Sequence, residues 1–148
     1  MKKKIAIAVI LVLAIAAVIV YQKVKEETPD VVNRQPDIAT DVNTLVAAFN
    51  SDTASASKKY LNKIVEVTGN VKSVDSSAVV LGDADSPSGV TVGLDRRHLK
   101  DHEGLKVGTV AVLQGVCSGY SKAEGDDLLS ALGTTVELRS GSVKNKNQ

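Results

Sequence analysis

The chain has 148 residues, with 18 Lys and Arg against 17 Asp and Glu, one Cys, no Trp, three Tyr and one Phe. That leaves room for one domain of about 110 residues around a single core. It excludes a multi-domain enzyme, a disulfide-stapled mini-protein, a four-Cys zinc site and a generally basic nucleic-acid binder.

Apolar residues and charges are spread unevenly. Met1-Lys2-Lys3-Lys4 precedes an unbroken apolar run, Ile5–Tyr21. As a helix rising about 1.5 Å per residue it spans roughly 25 Å, against roughly 30 Å for a bilayer core. It reads as an uncleaved transmembrane helix over 5–21, making 1–21 an N-terminal signal-anchor with Tyr21 at the headgroups. A cleaved signal peptide, cut after Ala14-Ile15-Ala16, is the alternative. Three Lys ahead of the run put the N-terminus in the cytoplasm. The expected location is therefore a bacterial inner membrane, single-pass, with the rest of the chain periplasmic or extracytoplasmic. From residue 29 onward the chain holds 13 basic and 15 acidic residues.

Residues 22–36 (QKVKEETPDVVNRQP) are polar, hold two of the three prolines and read as a linker. The domain follows over 37–146. Its helical part, 37–60, opens at Pro36-Asp37 and carries an apolar stripe of Ile38, Val42, Leu45, Val46 and Phe49. Asn50-Ser51-Asp52 interrupts it, and Ser51 or Asp52 can cap a second short helix through Ala54, Ala56 and Tyr60. Lys58 and Lys59 suit the negative end of that helix.

Chemistry changes at Leu61, where Val replaces Ala and glycines begin to appear, so 61–143 reads as strands and turns. Lys63–Asp75 alternates through Val65, Val67, Gly69 and Val71. Val74 breaks parity, which predicts a bulge between Gly69 and Ser73. Ser77–Gly82 and Val90–Leu94 are the second and third strands, separated by a turn cluster, and Asp95–Leu105 is polar with at most a short helix. Lys106–Tyr120 is a long fourth strand, Ser121–Gly133 a loop, and Thr134–Val143 a fifth strand. The expected fold is mainly β: a five-stranded OB-like Greek-key barrel preceded by a helical segment and a transmembrane helix.

Several short segments together resemble one family. They are Lys59-Tyr60-Leu61-Asn62-Lys63, Val65-Glu66-Val67-Thr68-Gly69-Asn70-Val71, Val79-Val80-Leu81-Gly82, Gln114-Gly115-Val116-Cys117-Ser118-Gly119-Tyr120 and Val136-Glu137-Leu138. In order and spacing they resemble the tRNA_anti-like family of bacterial OB-fold domains, from about Leu45 to Val143. The resemblance implies a small membrane-anchored or secreted OB barrel and no settled activity. Some members carry a second Cys near the end of the last strand, where this chain has Gly141.

The candidate binding residues are Tyr120, Cys117, Gly119 and Lys122. Glycines there would let a ligand approach the barrel wall with Tyr120 as a stacking surface. The plainer reading is a bent strand closing the barrel, with Cys117 as a small buried hydrophobe. Cys117 has no His nearby in sequence to act as its base. His98 and His102, four apart, would share a helix face with Asp95, Asp101 and Glu103 near them, but no Glu follows His98 as a metalloprotease motif requires. No cofactor and no metal is expected. The second and third strands hold no aromatic and no Lys or Arg, and Arg96, Arg97 and Lys100 are offset by neighbouring acids. These features argue against nucleic acid as a partner. The expected function is a non-catalytic envelope binding or interaction module. It would meet the membrane through its N-terminal helix, and an envelope protein or glycan through the loop between strands one and two and the Ser121–Gly133 loop. The alternatives are a single-stranded nucleic-acid-binding, tRNA-anticodon-like OB protein, and an enzyme using Cys117 or the His98/His102 pair.

Overall fold

Alternating Val residues from Ile64 onward do what their pattern dictates: every second side chain enters one interior. The computed structural model describes residues 30–122 and 133–144, together with Ile15. Its elements are β1 (Ile38–Asp41), α1 (Val42–Ser51), α2 (Thr53–Tyr60), β2 (Ile64–Val74), β3 (Ala78–Leu81) and β4 (Gly89–Leu94). A 3₁₀ segment (Arg96–His102), β5 (Val110–Lys122) and β6 (Thr134–Val143) complete them. The strands run in the order β1-β2-β3-β4-β6-β5, and a further β2–β5 pairing closes the sheet into a barrel. β4 and β6 are parallel, while β2–β3, β3–β4, β5–β6 and β2–β5 are antiparallel. Without β1 this is the five-stranded mixed barrel expected of an OB-like fold. The predicted bulge in β2 falls between Val71 and Ser73.

The helical segment needs correcting at its start. Ile38–Asp41 is a strand, parallel to β2 in the register Ile38↔Val65 to Asp41↔Thr68. Ile38 and Val42 are four apart, a spacing that also fits a helix, but the local hydrogen bonds decide otherwise. The Asp37 amide donates to the Ile64 carbonyl, and the Ile64 amide donates to Asp37 Oδ2, both at 2.8 Å. Asp41 is the helix cap: its Oδ1 accepts from the Thr44 amide at 2.9 Å and its Oδ2 from the Thr44 hydroxyl at 2.7 Å. Asp52 caps α2 in the same way through Ser55.

α1 buries Val42, Leu45, Val46 and Phe49 against the barrel core. Each such side chain contributes about 1.5–3 kcal/mol when fully buried. The helix lies close over β2 because Gly69 has no side chain; a Cβ there would stand 2.4 Å from Val42 Cγ2. Tyr60, at the end of α2, is also buried and lies 6.0 Å from Phe49 by ring centroids.

Residues 30–36 lie against the outer wall of the barrel. Val31 is fully buried, and Gln114 Nε2, itself fully buried on β5, donates to the carbonyls of Val31 at 2.6 Å and Arg34 at 2.9 Å. Both faces of β5 are consequently buried from Ala111 to Cys117.

The expected transmembrane helix is also corrected. Among the described residues no helix is long and apolar enough to cross a membrane, and the segment 5–21, apart from Ile15, lies outside them. The signal-anchor, the membrane partnership, the single-pass inner-membrane location and the envelope role that rested on them therefore lose their support. Most of the expected Ser121–Gly133 contact loop, residues 123–132, likewise lies outside the described residues, and β5 runs on to Lys122.

Candidate functional site

The four residues singled out on β5 do not share one surface. Cys117 is fully buried in the core, and burial pushes its thiol up to about 11, against a smaller opposing effect of the Gly119 amide. A thiol held that high is almost wholly protonated at neutral pH and is a poor nucleophile. Tyr120 stacks on Phe49 with centroids 4.9 Å apart and keeps 38% of its surface exposed. Lys122 Nζ donates to the Asn50 carbonyl at 3.2 Å, while the Thr134 hydroxyl donates to Asn50 Oδ1 at 2.6 Å. Tyr120 and Lys122 therefore hold the C-terminal end of α1 at the barrel rim. Gly119 pairs with Glu137, and a Cβ there would meet nothing within 4 Å.

The histidines part company. His98 turns both ring nitrogens to carboxylates, Nε2 to Asp30 Oδ2 at 3.3 Å and Nδ1 to Asp101 Oδ2 at 3.4 Å. His102 Nδ1 is buried without a hydrogen-bond partner. Among the described residues no group of three or more His, Cys, Asp or Glu is placed to hold a metal ion. In the basic cluster, Arg97 makes a bidentate contact to Asp95 through Nε and Nη2, at 2.9 and 2.6 Å. Those hydrogen bonds hold the Asp95 carboxyl down at about 2. Arg96 and Lys100 remain exposed at the end of β4.

A surface that the sequence did not mark stands out once the barrel is closed. The register aligns Val80 with Thr91 and Thr91 with Glu137, and sets Ala78 opposite Gly93. These are the outward positions of β3, β4 and β6, since Val79, Val92 and Leu138 between them are buried. Ala78, Val80, Thr91 and Gly93 are each half-buried, and a Cβ on Gly93 would find only the Leu138 carbonyl oxygen, at 3.6 Å. The result is a shallow wall of small side chains, edged by the exposed Glu137 and Arg139 on β6 and by Arg96 and Lys100 beyond β4. The signal for it was available as Ala, Val, Thr and Gly at alternate positions, but only the pairing shows which outward positions lie side by side.

The tRNA_anti-like family profile matches residues 1–129. The chain belongs to the tRNA_anti-like family. No curated protein matches the chain. Among solved structures, one described as a candidate nucleic acid-binding lipoprotein from Klebsiella pneumoniae is similar, with TM-score 0.49 and 21% identity, covering 71% of this chain and 90% of that one. An asparaginyl-tRNA synthetase from Entamoeba histolytica, in complex with asparaginyl-adenylate, gives TM-score 0.37 and 11% identity, covering 74% of this chain and 24% of that one. A candidate aspartyl-tRNA synthetase from Leishmania major gives TM-score 0.40 and 8% identity, covering 86% of this chain and 26% of that one. The chain thus spans about a quarter of either synthetase.

Family membership overturns the expectation that nucleic acid is not a partner. That expectation rested on strands two and three lacking aromatic and basic side chains. Their absence bears on one recognition mode, base stacking on aromatics, and not on others. The chain is an OB-like barrel domain of the tRNA_anti-like family.

Proposed function

We propose that the protein is a single-stranded nucleic-acid-binding OB module and that the strand crosses the outward wall of β3, β4 and β6. The observation carrying this reading is the bareness of that wall: Ala78, Val80, Thr91 and Gly93 stay half-exposed, whereas the outer face of β5 is covered. Small side chains allow a base or sugar close to the strands, and Arg139, Arg96 and Lys100 on the rim supply cations for phosphates. Binding of this kind needs no chemistry from Cys117, whose thiol is buried.

The test is fluorescence anisotropy of the full-length protein with labelled single strands at two salt concentrations. Binding that weakens with salt is expected, and Thr91→Glu, which sets a second carboxylate beside Glu137, weakens it about tenfold. Absence of binding at low salt, or a Thr91→Glu variant that binds as well as the parent, would refute the reading.

A further inference from the structure

We infer that the cleft between β2, the β3–β4 turn and the Val107–Gly108 turn is a subsite for one unstacked nucleobase of the bound strand, an inference that rests on the single-strand reading above. The cleft holds about 180 Å³, with Asn70, Val71 and Lys72 on one side, Gly82 and Ala84 on another, and Val107 and Gly108 closing it. Pockets that take a whole ligand run from roughly 300 to 1,000 Å³, so this one takes a fragment the size of a single ring system.

Its chemistry suits a base better than an ion or an alkyl chain. Ala84 and Val107 give apolar walls, while the Val71 side chain turns into the core. Val107 and neighbouring Val110 are 66% and 69% exposed, bare surface for the flat face of a ring. Asn70 is exposed, and its side-chain amide offers both a donor and an acceptor, the pair that a base edge presents in return. Gly108 makes the turn with φ of +84°, a conformation that side chains rarely adopt, and no atom stands within 4 Å of where its Cβ would be. That leaves a planar group free access.

Two features connect the cleft to the wall. Val80 precedes by two residues Gly82, whose amide donates to the Asn70 carbonyl at 2.9 Å, so the wall runs into the cleft. The Lys72 stem passes Gly82, its Cδ 3.9 Å from that residue's Cβ position, and its ammonium is fixed by donating to the Ser86 carbonyl. An ammonium has three N–H bonds, so two remain for a phosphate oxygen. Asp83 and Asp85, exposed on either side of Ala84, keep phosphates off the opposite rim. A strand crossing the wall thus places its backbone beside Lys72 and turns a base inward.

The experiment compares the full-length protein with an Asn70→Ala/Val107→Ser double variant. Both positions are exposed, so folding is unaffected. Each protein is titrated into strands of roughly 4–16 nucleotides and into the same sugar-phosphate chains lacking their bases. The expected result is tighter binding of the base-carrying strand by the parent protein, with the variant losing about tenfold on that strand and nothing on the abasic one. An equal loss on both strands, or no loss on either, overturns the base subsite and leaves the wall reading standing. If the parent binds no single strand, both fall together.

Discussion

The β5 wall and the β3–β4 wall of the barrel are made by strands of the same kind but differ in what lies outside them. On β5, every residue from Ala111 to Cys117 is buried, because residues 30–36 cross its outer face. On β3 and β4, burial alternates, and the outward positions stay partly open. The difference is already in the chemistry of the strands. β5 offers Val and Leu at successive positions with Gln114 among them, the pattern of a strand covered on both faces. β3 and β4 put Ala, Val, Thr and Gly outward, too small to form a second core. A barrel of this size can devote one wall to holding its own chain and keep the other free for a partner.

The largest effect should come from breaking the covered wall. Gln114 is fully buried and satisfies two carbonyls of the crossing segment, so Gln114→Ala removes both hydrogen bonds and leaves a void. The expected cost is about 2–4 kcal/mol, measured by urea unfolding. Residues 30–36 should also become a site of proteolytic cutting in the variant. A cost below about 0.5 kcal/mol would place Gln114 among ordinary surface positions and erase the contrast between the walls.

Asp95 braces the open wall. Its amide donates to the Gly141 carbonyl at 2.9 Å, tying the end of β4 to β6, while its carboxylate receives Arg97. The carboxyl lies at about 2 in the folded protein against an ordinary 3.8. A folded value below the unfolded one means that the ionised group stabilises the fold. That contribution is complete above about pH 4 and is lost as pH falls towards 2. Asp95→Asn should therefore cost about 1 kcal/mol at neutral pH, after allowance for solvent screening, and little once pH falls below about 2. A difference between the two proteins that does not shrink on acidification would show that the side chain acts through packing instead.

The barrel was legible in the sequence where strand chemistry is strict. Alternating Val in β2 and the parity break at Val74 located the strand and its bulge, because a half-buried strand tolerates no other arrangement. Pairing partners were less legible. Ile38 and Val42 satisfy helical spacing, and only the contacts of Asp37 with Ile64 and of Asp41 with Thr44 decide that the chain extends before it coils. Residues 30–36 read as a polar linker because one buried Val among polar neighbours carries no periodic signal; its partner, Gln114, lies 83 positions away. The surroundings of the candidate residues were hidden for a related reason. The partners of Tyr120 and Lys122, Phe49 and Asn50, sit on a helix packed there only in three dimensions. The open wall escaped notice since small residues advertise nothing singly and acquire meaning only when register sets Val80, Thr91 and Glu137 in a row.

The smallest effect belongs to that row. Thr91 lies mid-strand on β4 between Val80 and Glu137, half-exposed, with no side-chain hydrogen bond among the described residues. Removing its hydroxyl and methyl in Thr91→Ala takes away little packing and no partner, so stability should change by no more than about 0.5 kcal/mol. Thr has the better strand propensity, which sets the expected sign as a slight loss. The comparison with Gln114→Ala is then several-fold in free energy for two substitutions of similar chemistry on strands of one sheet. A loss above about 1 kcal/mol at Thr91 would mean that another part of the chain covers this wall, and the surface proposed for a nucleic-acid strand would already be occupied.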